Sequence, residues 1–66
     1  MITFEPLWET LKNKNISQYD LINKYGMSRG TLDNLKHNRS ITLITLNDLC
    51  NMLDCDILDV IEYRKD

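Results

Sequence analysis

Apolar residues recur at helical spacing in five short stretches, each set off by polar residues. Leu7, Trp8 and Leu11 fall at i, i+1 and i+4 behind Pro6, a residue suited to a first helical turn. They predict a helix over Pro6–Asn13. Ser17 can cap a second helix, with Asp20 three residues on as its acidic partner and Leu21, Ile22 and Tyr25 on its inner face. Gly26, a residue that enters the left-handed region without penalty, ends that helix. Ser28 then caps a third, Arg29–His37, with Leu32 and Leu35 inward. Thr42 caps a fourth, Leu43–Leu53, whose stripe is Leu43, Leu46, Leu49, Cys50 and Leu53. Asp56 and Asp59 mark a fifth, Ile57–Glu62, carrying Ile57, Leu58, Val60 and Ile61. Met1–Phe4 is left open as a short extended arm. The fold class expected is all-α, a single domain of five short helices over residues 1–66.

Composition changes this picture little. At 66 residues, 42% apolar and 27% charged, the chain is a small folding domain rather than a disordered one. A core of this size supplies only about 3–5 kcal/mol of net stability. Cys50 and Cys55 are too few for a disulfide scaffold and read as small, partly buried thiols of a reducing compartment. His37 does not stand at zinc-ligand spacing from them. The first residues lack the basic start and apolar run of a secretory signal, and no apolar run approaches the roughly 18 residues of a membrane span. A cytoplasmic location is expected, with no cofactor, no metal, no membrane partner and no evident small-molecule ligand. Alanine is absent while Asn, Ile, Leu, Lys and Asp are plentiful. AT-rich coding, as in some bacterial and phage genomes, produces that bias.

The stretch from Gln18 to Asn38 carries the functional signal. Two capped helices meet at Gly26-Met27-Ser28, and Leu21, Ile22, Met27, Leu32 and Leu35 supply the buried positions that lock their crossing. This layout is a helix-turn-helix, in which the second helix stands out from the body and its free face can enter a major groove. At 100° per residue, the face opposite Leu32 and Leu35 is centred on Gly30, Asp33, Asn34 and His37, with Arg29 and Lys36 along one margin.

Ile16-Ser17-Gln18-Tyr19-Asp20-Leu21, Tyr25-Gly26-Met27-Ser28, Thr31-Leu32 and Leu35-Lys36 resemble the Xre family, the lambda-repressor-like or Cro-type helix-turn-helix domains. The later runs Thr42–Cys50, Leu53-Asp54-Cys55 and Asp59–Tyr63 are similar to its small members. The resemblance spans about residues 6–63. It implies a five-helix transcriptional regulator, prokaryotic or phage and expected to repress, usually dimeric on inverted-repeat double-stranded DNA.

Roles follow residue by residue. Arginine can grip guanine O6 and N7, and asparagine can pair with adenine N6 and N7. Arg29, at the probing end of the third helix, and Asn34, one turn on, are therefore the candidate base readers. Gly30 would let the backbone approach the groove. Asp33 would repel phosphate, although it could accept from a cytosine amine, and it is expected to point between the strands or to solvent. Gln18 resembles the family glutamine that meets a phosphate at a helix start. Thr31, Lys36, Asn38 and Arg39 are further phosphate candidates, and Ser28 joins the set as the cap at the DNA-facing end. His37 is read as an exposed side chain. Two departures from the family stand out. Ile22 replaces a small residue, which would set the two helices slightly further apart. Leu11 and Lys36 stand where an arginine and its acidic partner pair in many members, so that ion pair is lost.

An enzyme is not expected, because no nucleophile–base pair, phosphate loop or carboxylate pair can be assembled. Asp54, Asp56 and Asp59 lack the loop length and glycine of a calcium site and read as helix caps. The rival class is a protein-interaction module, such as an antitoxin or a partner of another regulator, with the acidic C-terminal third as its working face. Leu58, Ile61 and Tyr63 are candidates for a homodimer interface; the equal alternative is that Ile57, Leu58 and Ile61 close the monomer's core.

Ten acids against eight bases give a formal charge of −2, which at first sight argues against a nucleic-acid partner. The charge is not uniform. Residues 1–11 carry −2, residues 12–39 carry six bases against Asp20 and Asp33 for +4, and residues 40–66 carry two bases against six acids for −4. The domain is dipolar, basic where the helix-turn-helix lies.

Overall fold

Side-chain caps open three of the helices at the residues expected from sequence. In the computed structural model, which describes residues 1–66, the order is β1 (Ile2–Thr3), α1 (Glu5–Asn13), α2 (Gln18–Asn23), α3 (Arg29–Lys36), α4 (Leu43–Leu53), a 3₁₀ turn (Ile57–Asp59) and β2 (Glu62–Tyr63). Ser17, Ser28 and Thr42 each accept a hydrogen bond from the backbone N–H three residues on, at 3.0–3.1 Å. Each bond satisfies an amide that the helix leaves without a partner.

At Ser17 the cap is reciprocal, because the Asp20 carboxylate accepts the Ser17 N–H at 3.0 Å. The backbone and hydroxyl of Ser17 together hold the Asp20 carboxyl below its ordinary range. A folded value below the unfolded one means that its contribution is complete above the ordinary carboxylate value of about 4. The contribution drains as pH falls through the lowered value. Asp20→Asn should therefore flatten the acid limb of the stability curve. Urea midpoints measured from neutral pH downward should show wild type and variant converging as the acid limit is approached.

The C-terminal ends of α1, α3 and α4 share one closing device. Asn15 (φ 56°), Asn38 (φ 53°) and Asp54 (φ 50°) are left-handed. Each is followed by an amide that reaches back five residues: Ile16 to the Leu11 carbonyl at 2.9 Å, Arg39 to Asn34 at 2.8 Å, Cys55 to Cys50 at 3.1 Å. This turn satisfies the last free carbonyls and brings together the side chains at its two ends. The αL conformation falls on Asn and Asp, the non-glycine residues that tolerate it best. Gly26 (φ 73°) does the corresponding work between α2 and α3.

The core takes one fully buried residue from each element: Leu7 from α1, Leu21 from α2, Leu35 from α3, Leu49 from α4 and Val60 after the 3₁₀ turn. Around them lie Phe4, Leu11, Met27, Leu32, Leu46 and Leu53. Leu11 lies within this core, so no charge stands at that position. No helix is long and apolar enough to cross a membrane.

The all-α expectation of five helices is corrected here. Four α-helices form, and the expected fifth is a single 3₁₀ turn followed by extended chain. Asp56 and Asp59 do cap that turn, with Asp56 Oδ1 accepting the Ile57 N–H at 2.6 Å and Asp59 Oδ2 accepting the Asp56 N–H at 3.0 Å. Beyond it, Val60 still has helical backbone angles (φ −116°, ψ −45°), and only after the β-branched Ile61 does the chain become a strand. Glu62–Tyr63 pairs antiparallel with Ile2–Thr3 (Ile2 opposite Tyr63, Thr3 opposite Glu62). The N-terminal arm is thus a strand. The Arg64 N–H donates to the Met1 carbonyl at 2.8 Å, and its guanidinium bonds Glu62 and Glu5, which holds its pKa above the usual arginine value. The turn itself is tied to α1 by the Thr10 hydroxyl, which donates to the Asp59 carbonyl at 2.7 Å.

Three apolar residues expected inside lie outside. Leu43 is exposed, because it sits in the first turn of α4, roughly 60° around the axis from Leu46 and one turn past the last core contact. Tyr25 lies beyond the end of α2 and is partly solvated. Ile57, in the 3₁₀ turn, is exposed as well, since the shorter chain path sends Val60 inward in its place.

Candidate nucleic-acid interface

The turn from α2 to α3 is set by backbone before side chains enter. The Met27 N–H donates to the Leu21 carbonyl at 2.9 Å across the left-handed Gly26. Met27 is buried with Leu21, Leu32 and Leu35, so both helices are pinned to the same core. A Cβ at Gly26 would meet nothing within 4 Å, so the backbone angle, not space, requires glycine there.

Anchored through Leu32 and Leu35, α3 turns its other face outward. Arg29 and Gly30 are exposed at its start and Lys36 at its end. Arg29 and Lys36 take part in none of the protein's ion pairs. With Ile22, Leu32 and Asp33 they line a shallow groove between α2 and α3. Ile22 is half-buried there. A Cβ at Gly30 would meet no atom within 4 Å, so the helix surface at this point is open for close approach.

The Ser28 hydroxyl accepts the Thr31 N–H at 3.1 Å and is hydrogen-bonded to the Thr31 hydroxyl at 2.9 Å. Gln18 is exposed at the first position of α2, beside a small cleft lined by Trp8, Leu11, Lys12 and Ile16. Asn34 is half-buried, less available than Arg29, and its carbonyl accepts the Arg39 amide in the closing turn of α3.

Two of the expected phosphate contacts have intramolecular work as well. The Asn38 carboxamide oxygen accepts the Phe4 N–H at 2.8 Å, tying the end of α3 to the N-terminal arm, which leaves only its Nδ2 free. Asn38→Gly keeps the left-handed backbone but loses this bond. It should lower stability by about 1 kcal/mol, read as a lower urea midpoint at unchanged slope. Arg39 pairs with the Asp33 carboxylate, and His37 Nδ1 lies 3.2 Å from the same group. Asp33 is exposed on the outer face, as expected, but it is paired there with the residues after the helix. The i, i+4 and i, i+6 spacing from Asp33 to His37 and Arg39 carries this cluster in the sequence, and the second spacing works only because the chain doubles back at Asn38.

A family model described as the Cro/C1-type HTH DNA-binding domain matches residues 6–66. The chain is also similar to the transcriptional regulator VanUg, whose crystal structure (form II) superposes with a TM-score of 0.87 at 28% identity, covering 98% of this chain and 87% of that one. No sequence among curated proteins matches it. The matched family is a class of DNA-binding domains and not an enzyme class. Because the match takes in α1 to α4 almost whole, with the turn that mounts α3 on the core, the chain belongs to the Cro/C1-type helix-turn-helix DNA-binding domains.

Proposed function

We propose that this protein is a sequence-specific double-stranded DNA-binding regulator of transcription, acting as a repressor by placing α3 in the major groove. The observation that carries the reading is an exposed, capped helix whose cations Arg29 and Lys36 have no partner inside the protein. Arg29 reads a base edge, with Asn34 as a second reader from its half-buried position. Gly30 lets the helix backbone approach the groove closely. Gln18, Ser28, Thr31, Lys36, Asn38 and Arg39 surround it as phosphate contacts, and Arg39 exchanges Asp33 for phosphate on binding. The similarity to a transcriptional regulator supports the regulatory role.

A single domain covers one half-site, so the working form on DNA is a homodimer. Leu58 and Tyr63, 74% and 67% exposed, are the apolar residues offered to a second copy. Ile61, half-buried against the core, contributes only its outer edge. The test is binding to duplex fragments from the gene's own upstream region across a salt series, with sedimentation of the complex. Each phosphate neutralised contributes about −0.9 to the slope of log K against log salt. The two cations assigned to phosphate, Lys36 and Arg39, therefore predict a slope of roughly −2 per protomer and two protomers per site. A protein that shifts no duplex at low salt would sink the reading.

A further inference from the structure

The device that closes α1, α3 and α4 also selects which side chains meet. In α1 it joins Leu11 to Ile16, both packed in or against the core. In α3 it joins Asn34 to Arg39. In α4 the two ends are Cys50 and Cys55, the chain's only cysteines.

The Cys55 N–H donates to the Cys50 carbonyl at 3.1 Å, and the Asp54 N–H to Asn51 at 3.3 Å. With standard backbone dimensions, the first bond holds the two Cα atoms within roughly 7 Å, and any bend in the link brings them closer. A disulfide needs about 4.4–6.8 Å. Both thiols are free and half-buried, so a small reagent can reach them while the turn keeps them together. Burial, the neighbouring Cys50 thiol and Asp59 raise the Cys55 thiol, with Lys14 opposing. The Cys50 side chain lies beside the Cys55 thiol, so the two meet in side chain as well as in backbone.

We propose that Cys50 and Cys55 form a dithiol site, assembled by the closing turn of α4, which a low-molecular-weight disulfide oxidises to an intramolecular bridge. The Cys50 thiolate attacks one sulfur of the reagent RSSR, forming a mixed disulfide and expelling RS⁻, which takes up the proton that Cys50 lost. The Cys55 thiolate then attacks the Cys50 sulfur. The Cys50–SR bond breaks, the second RS⁻ leaves and is protonated at the expense of Cys55, and the Cys50–Cys55 bond forms. Two electrons pass from the protein to the reagent, and one RSSR becomes two RSH. Cys55, held up by burial, is the slower nucleophile and so the resolving one. The bridge would fix the path from α4 into the 3₁₀ turn that presents Ile57 and Leu58. Such a small-loop, exchangeable bond suits a reversible redox modification better than a structural staple.

The test treats the folded protein with oxidised glutathione in a defined redox buffer, traps remaining thiols by alkylation and reads the intact mass. Wild type should lose two hydrogen atoms and carry neither glutathione nor the alkyl group. Cys55→Ser should retain glutathione on Cys50, and Cys50→Ser should acquire it on Cys55 more slowly. The ratio of bridged to dithiol protein should exceed that of the same chain in urea by about tenfold or more, because the native turn raises the effective concentration of one thiol at the other. A bridge no more favoured in the native protein than in urea would overturn the proposal, as would native wild type ending as glutathione adducts, intermolecular dimers or unreacted dithiol.

Discussion

Leu35→Ala should leave the free protein largely unfolded. Leu35 is fully buried in the last turn of α3, in the same core as Leu32 and the turn residue Met27. Truncating a buried leucine costs about 2–5 kcal/mol, since the cavity left behind collapses only partly. A domain of this size has about 3–5 kcal/mol in all, so the loss is comparable to the whole. The single tryptophan, Trp8, packs half-buried against the same core and reports unfolding by fluorescence. Leu58→Ala provides the contrast: its side chain is 74% exposed, and the monomer's stability should move by no more than about 0.5 kcal/mol. If Leu35→Ala kept a urea midpoint close to wild type, α3 would not depend on the core as described, and the rigid presentation of Arg29 would lose its basis. Saturating duplex should partly restore the variant's folded fraction, because a ligand that binds only the folded state stabilises it.

What the sequence reveals of this molecule divides along the reach of each interaction. Ser17, Ser28 and Thr42 each bond an amide three residues away, and their helices begin where those residues predict. The extent of α4 is recovered whole for the same reason, its stripe and cap both lying within one short window. The left-handed closures at Asn15, Asn38 and Asp54 were open to reading too, since Asn and Asp tolerate that region, but polar residues after a helix look alike whether they cap it or merely follow it. The expected fifth helix failed because its alternative partner is distant. Nothing near Glu62 or Tyr63 announces pairing with Ile2–Thr3 at the other end of the chain. Over a span as short as Ile57–Tyr63, i, i+3 spacing cannot separate a helical stripe from a turn leading into a strand.

The candidate site divides in the same way. The outward margin of Arg29 and Lys36 follows from helix geometry once Leu32 and Leu35 are taken as inward, and the groove they share with Ile22 bears that out. The engagement of Asn38 with Phe4 joins residues far apart in sequence, and that of Arg39 with Asp33 depends on the chain's reversal after α3. The first has no local signal, and the second has only an i, i+6 spacing that the turn at Asn38 makes effective, so both residues read as free phosphate ligands. The dipolar charge has a physical consequence that the total of −2 hides. The basic block from 12 to 39 contains the whole of α2 and α3, while the acids after residue 40 lie largely on α4, the 3₁₀ turn and the C-terminal end. Such a distribution orients the protein on approach to DNA and limits indiscriminate binding.

Arg29→Ala and Lys36→Ala should fail differently, and the difference tests the assignment of roles more sharply than either loss alone. Both side chains are exposed cations without an internal partner, so neither substitution should disturb the fold. A bidentate arginine contributes about 1–3 kcal/mol of discrimination against the wrong base. Losing it should cost the preferred site about 5- to 150-fold in affinity while leaving mismatched DNA little changed, apart from the shared loss of one charge. Selection from random duplexes should then show one base position relaxed in each half-site. Lys36, at the far end of α3, meets phosphate, so Lys36→Ala should weaken all sequences by a similar factor and make the salt slope shallower by about 1 per protomer. Arg29→Lys keeps the charge without the planar fork and should recover the non-specific affinity but not the specificity. Equal, sequence-independent losses from Arg29→Ala and Lys36→Ala would remove Arg29 as the reader. The remaining discrimination would then have to come from Asn34 or from the shape of the DNA itself.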